Sequence, residues 1–258
     1  MKFVFCFVVL ATGLFTGCGG GSSTAEKQET PAAAPSAATV KVDPATAGSI
    51  TGKVAFSGTK PKPQPLSMDA TPACARMHEK PALSEDVVLN DNGTLRNVFI
   101  YVKAGLPEGD WSVPTTPVKL DQVGCVYTPH VLGVMVNQPI EISNSDSTNH
   151  NIHPLPKLNR EWNESQPPKG DVKVKTFPKA EVPPILFKCN VHPWMRAWVG
   201  VVKHPYFAVT GDDGSFSLKA LPPGEYTLEA WHERYGTQEI KVKVEPKQSQ
   251  SADFTFKS

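Results

Sequence analysis

Cys189-Asn190-Val191-His192-Pro193-Trp194-Met195 places a thiol, an imidazole and a thioether at three-residue intervals. Pro193 rules out a regular helix here, so the segment reads as a loop that wraps several donors around one ion. Well upstream, Asn149-His150-Asn151-Ile152-His153 offers a further imidazole from a separate strand. Cysteine and methionine sulfur selects copper over hard cations. Two His and one Cys in a plane, with a weak axial Met, form a one-electron copper centre. Residues three apart on an extended strand face opposite ways, so only one of His150 and His153 meets Cys189.

Outward from that loop, the chain is a succession of short β runs. Ser49–Ser57, Leu95–Lys103, Val131–Val136, Pro139–Asn144, Asp171–Phe177, Pro184–Cys189 and Ala197–Lys203 are rich in branched and aromatic residues. Gly, Pro, Asn or Asp separates nearly all of them, which predicts an antiparallel sandwich. Thr71 and Pro72 predict one short helix. From about His204 the spacing becomes that of a meander, with runs at 206–210, 215–219, 225–231, 238–245 and 252–257. Asp213-Gly214 between two of them is a hairpin signal. The fold class is therefore all-β, in two sandwiches of which the C-terminal is the smaller.

The N-terminus reads as an export signal, residues 1–17. Lys2 precedes an apolar run, Phe3–Phe15, too short to span a bilayer. After Cys18, a stretch of Gly, Ser, Ala and Pro to about residue 47 holds few large apolar residues and reads as a disordered tether. Residues 48–204 then form the metal-bearing domain and 205–258 the second sandwich. Of the 5 cysteines, Cys6 lies in the signal. Cys74 and Cys125, in an oxidising compartment, are expected to pair as a disulfide. Zinc held by Cys74, His78, Cys125 and His130 is the alternative.

A net charge of +1 excludes the basic footprint of a nucleic-acid binder. Between His150 and Lys203, 9 Lys and Arg face 4 Asp and Glu. That excess suits an acidic partner and equally describes a solvated loop.

Three resemblances add to this reading. Cys189-x-x-His192-x-x-Met195 with His150-Asn151 resembles the cupredoxin family, and its amicyanin-type loop spacing in particular, over roughly Leu95–Lys203. The resemblance implies a Greek-key sandwich, one type 1 copper and single-electron transfer. In that family the ligand immediately precedes an Asn that ties the two ligand loops. His150 is then the fourth ligand beside Cys189, His192 and Met195, and Asn151 is the tie. The resemblance also puts His192 near the surface in an apolar patch. There Pro193 and Trp194 would dock a redox protein such as a c-type cytochrome, and Lys188 and Arg196 would bias partner choice.

Gly214-Ser-Phe-Ser-Leu…Leu221-Pro-Pro-Gly-Glu-Tyr-Thr-Leu228 resembles the carboxypeptidase regulatory-like, or transthyretin-like, β-sandwich. Gly48–Gly58 resembles that family's first strand, so residues 48–58 fit either sandwich. Thr16-Gly17-Cys18-Gly19 resembles a bacterial lipobox, with Phe15 where that pattern has Leu. It implies lipidation of Cys18 and a membrane-anchored periplasmic or cell-surface protein.

No further His-x-His clusters occur, so a multicopper oxidase or nitrite-reductase chemistry is not expected and the chain is read as no enzyme by itself. Two other functions compete with electron transfer. One is copper handling on the same donors. The other is a structural or carbohydrate-binding role for the C-terminal sandwich, using Tyr206, Phe207, Tyr226, Trp231 and Tyr235.

Overall fold

Phe99-Ile100-Tyr101-Val102 alternates between two apolar faces, and both faces are buried. In the computed structural model, which describes residues 38–258, that strand lies where two sandwiches meet. The signal, Cys18 and the first part of the tether fall outside the described residues.

In chain order the elements are β1 (Gly48–Ser57), a one-turn helix α1 (Pro72–Ala75), β2 (Phe99–Ala104), β3 (Val118–Val123), β4 (Val126–Thr128) and β5 (Val131–Met135). Next come β6 (Ile140–Asn144), β7 (His150–Leu155), β8 (Glu164–Gln166), β9 (Lys173–Lys175), β10 (Glu181–Lys188) and β11 (Arg196–Val202). The C-terminal run is β12 (Phe207–Val209), β13 (Ser215–Leu221), β14 (Gly224–His232), β15 (Gly236–Val244), β16 (Ser249–Ser251) and β17 (Phe254–Lys257).

The first sandwich packs the sheet β5-β11-β10-β7-β8 on the sheet β4-β3-β6-β9. Leu120, Tyr127, Val134, Ile142, Ile152, Phe187 and Val199 fill the space between, and Cys189 and Met195 join this core at one end. Most pairings are antiparallel, but β5 runs parallel to β11 and β3 parallel to β6, so the sheets are mixed. The second sandwich packs β13-β1-β16, with β17 also on β1, against β12-β2-β14-β15. Its core alternates as β strands require: Ile100 and Val102 of β2 lie beside Ala230 and Leu228 of β14 on one face, which packs against Ile50, Val54, Leu218 and Phe254 of the opposite sheet.

Two sequence boundaries shift. Leu95–Lys203 was assigned wholly to the copper-type module, yet β2 hydrogen-bonds β14 and β12 in the second sandwich. Strand β1 pairs with β13, β16 and β17, which puts residues 48–58 in the second sandwich, one of the two places their sequence fits. The tether also ends earlier than residue 47. Val40 donates to the Asp110 carbonyl at 2.7 Å and Lys247 to that of Thr46 at 3.1 Å, so backbone bonding orders a segment that composition alone marks as loose.

At the seam, the ring of Phe99 lies on the paired glycines Gly133 and Gly200 of β5 and β11. Phe99, Tyr101, Val131, Val202 and Trp231 form a small shared core there.

Candidate metal centre

Strands β10 and β11 pair up to Lys188–Arg196, and the chain between them closes as a tight loop. Met195 N–H donates to the His192 carbonyl at 2.9 Å, and Cys189 N–H to that of Met195 at 3.2 Å. On the other side of β10, His153 of β7 pairs with Lys188, so the antiparallel run carries His150 past the end of β10 to the level of the loop. Three donors from two elements thus meet at one end of the core.

His150 Nδ1 lies 2.9 Å from His192 Nδ1, and Cys189 Sγ lies 3.8 Å from the same His192 nitrogen. An ion bonded at about 2.0 Å to nitrogen and about 2.3 Å to sulfur bridges donors no farther apart than about 4.0–4.3 Å. Both separations fall within that reach. The residues therefore fit one small thiophilic ion. Met195 is fully buried in the same loop. His150, Cys189 and His192 are each at most 2% exposed.

The surroundings fix these side chains. Asp146, four residues before His150, accepts from His150 Nε2 at 2.8 Å. The same carboxylate accepts the N–H groups of Gly124 at 2.6 Å and Cys125 at 2.7 Å. Those two residues have φ of 66° and 54°, the pair of positive angles a two-residue hairpin turn between β3 and β4 uses. Asn151 joins the two donor segments. Its N–H donates to Cys189 Sγ at 3.5 Å, its Oδ1 accepts the Asn190 N–H, and its amide meets Asn163.

Electrostatics prepare the site for a cation. Burial raises the Cys189 thiol, but His150 and the N–H groups of Asn151, His192 and Val191 outweigh it and hold the thiol below its ordinary range. Burial lowers His192, and the neighbouring His150 lowers it further, which keeps a neutral imidazole. Burial likewise lowers His150, but Asp146 and Cys189 reverse the sign.

Cys74 and Cys125 are disulfide-bonded. The bridge sits directly on the site, with Cys74 Sγ 3.5 Å from His192 Nε2. This corrects the placement of His192 at the surface. The loop carrying α1 covers the imidazole edge, leaving Pro193 exposed and Trp194 half-buried, its indole N–H on the Cys125 carbonyl at 2.9 Å. His78 instead bonds the Gly124 carbonyl at 2.7 Å, and His130 faces Glu233, so neither stands with the cysteines as a zinc set. His153 bonds Glu161 and Asn190, away from Cys189. Tyr206, Tyr226 and Trp231 are buried in the cores, so they form no exposed glycan strip. Asp146 was missed by the sequence reading; its spacing of four residues before His150 was the available signal.

Residues 196–257 match the model of the carboxypeptidase regulatory-like domain. The match covers β11 to β17. No curated protein sequence matches the chain. Among solved structures it is similar to a copper-containing nitrite reductase from Thermus scotoductus SA-01, at 21% identity and a TM-score of 0.29, over 38% of this chain and 25% of that one. It thus spans a quarter of that enzyme's length. It is also similar to a purple cupredoxin from Nitrosopumilus maritimus, at 22% identity and a TM-score of 0.28, over 33% and 98% of the two chains. A Cu(I) amicyanin variant gives 22% identity and a TM-score of 0.30, over 40% and 97%.

Proposed function

We propose that this chain is a mononuclear copper protein that passes single electrons between redox partners, with His150, Cys189, His192 and Met195 as the ligands. The observation that carries the reading is the convergence of both histidine Nδ1 atoms and the cysteine sulfur within one ion's reach. Copper bound there would supply a one-electron couple, for which mixed imidazole, thiolate and thioether ligation is suited. The chain's own residues do the rest. Asp146 fixes the tautomer and tilt of His150, and Asn151 locks the spacing of the two donor segments. Burial excludes water from the donors. Export by residues 1–17, a lipid on Cys18 and a docked partner such as a c-type cytochrome belong to the same proposal.

Copper capture and delivery without a redox task uses identical ligands. Closure of the site on all sides favours a retained ion, and so favours the carrier. Protein-film voltammetry separates the two. The carrier gives a reversible one-electron wave with copper retained through repeated cycles, whereas copper lost on cycling, or no wave, contradicts it. For the anchor, labelled fatty acid is incorporated by the wild-type chain in bacterial cells and not by Cys18→Ser; equal labelling contradicts it.

A further inference from the structure

His192 is a two-sided residue. Its Nδ1 faces His150 and Cys189, while its Nε2 faces Cys74 Sγ at 3.5 Å. A metal-bound histidine ordinarily gives its second ring nitrogen to a carboxylate, a carbonyl or water, as His150 does with Asp146. Among the described residues His192 Nε2 has no oxygen or nitrogen partner; sulfur is what it meets. One donor atom from each of Cys74, Cys125 and His192 lies within 4.8 Å of the others, and all three residues are buried.

We propose that reduction of the Cys74–Cys125 disulfide creates a second metal site, in which both thiolates and His192 Nε2 bind Cu(I). The reductant is a dithiol. Its two thiols close to a disulfide, and two electrons and two protons pass to the Cys74–Cys125 bond, leaving two free thiols. Binding of Cu(I) then releases those two protons. Two soft sulfurs and an imidazole suit Cu(I) and not a hard cation. Backbone bonds independent of the bridge hold both cysteines in place. Cys74 N–H donates to the Thr71 carbonyl at 2.9 Å, Cys125 N–H to Asp146 at 2.7 Å, and Trp194 to the Cys125 carbonyl. Their Cα atoms stand 5.6 Å apart, close enough for both thiolates to reach one ion. The bridge therefore masks a soft-metal site, and the redox state of the pair sets whether the chain can take up copper there. The proposal goes beyond the electron-carrier reading and does not need Cys189.

The test uses a full chain carrying Cys6→Ser, Cys18→Ser, Cys189→Ser and His150→Ala, so that Cys74 and Cys125 are its only cysteines and the first site lacks two of its four ligands. Cu(I) is titrated anaerobically against a chromogenic Cu(I) chelator before and after dithiol treatment. The expected result is no stoichiometric uptake by the oxidised chain and one equivalent by the reduced chain. X-ray absorption should then show two sulfur neighbours and one nitrogen, the nitrogen disappearing on further His192→Ala substitution. No uptake after reduction would overturn the proposal. So would a sulfur-only shell indifferent to His192→Ala, or loss of the near-ultraviolet dichroism on reduction, which would assign uptake to an unfolded chain.

Discussion

Asp146 carries more of the site than its place outside the donor motif suggests. Its carboxylate binds His150 Nε2 and the two N–H groups of the Gly124–Cys125 turn at once, so it ties the proposed ligand His150 to the disulfide's own backbone. Removing such a partner behind a ligating histidine weakens metal binding by about 10–100-fold. Asp146→Asn is therefore expected to lower Cu(II) affinity by about that factor in competition titrations, and to lower the urea midpoint as well, because an amide replaces the charged acceptor of two backbone N–H groups; unchanged affinity contradicts the role. The donors themselves were legible in sequence because sulfur and imidazole at fixed spacing have few other uses in a chain whose N-terminus reads as an export signal. Asp146 was not, because a carboxylate near a histidine is common, and only the geometry of the turn it binds distinguishes it. The cover on His192 was equally hidden, since which loop lies over an imidazole is decided by a disulfide joining positions 51 residues apart.

Among the elements, β5 and β11 show why strand sequence alone misassigns a neighbour. Both have the branched residues that mark strands, and their existence was readable from local pattern. A glycine inside a strand ordinarily weakens it, and Gly133 and Gly200 each sit in one. The structure gives them a purpose: they leave room for the Phe99 ring of β2, whose atoms lie 2.5 Å from where a Gly200 side chain would begin. Gly200→Ala should overpack this contact and cost about 1–3 kcal/mol, read as a lowered urea midpoint. Gly211→Ala, where nothing lies within 4 Å, is the control and should be near neutral. Equal midpoints for the two variants would contradict the seam described. The parallel pairings β5–β11 and β3–β6 escaped the sequence reading for a related reason, because alternation fixes which face is buried and not which strand lies alongside.

Across the molecule, buried histidines at the seam and in the second sandwich set opposing pH dependences. Burial lowers His130, but Glu233, with Glu85 and Asp86 nearby, reverses the sign and holds it above its ordinary value. Its contribution is full below about pH 6.5 and is lost as pH rises through the folded value. His232, against Tyr235 and Phe256, is pushed by burial down to about 4. The unfolded chain then takes up a proton that the folded chain refuses, so stability falls between about pH 6.5 and 4, by up to about 3 kcal/mol. Urea midpoints measured from about pH 4 to well above pH 6.5 should flatten on the alkaline side in His130→Gln and on the acid side in His232→Asn; parallel curves for all three proteins contradict the assignment. The all-β class and the two sandwiches were legible from run length and turn residues, and β1 in the second sandwich was one of the two readings its sequence allowed, whereas the pairing of β2 with C-terminal strands joins distant positions that no local pattern encodes. Whether the Cys189 sulfur and the His150 and His192 imidazoles share one copper ion is read from the visible absorption spectrum of the Cu(II)-loaded chain. The expected result is an intense thiolate-to-copper charge-transfer band at one copper per chain that is abolished in Cys189→Ser; a colourless copper-bound chain, or the same band in Cys189→Ser, contradicts it.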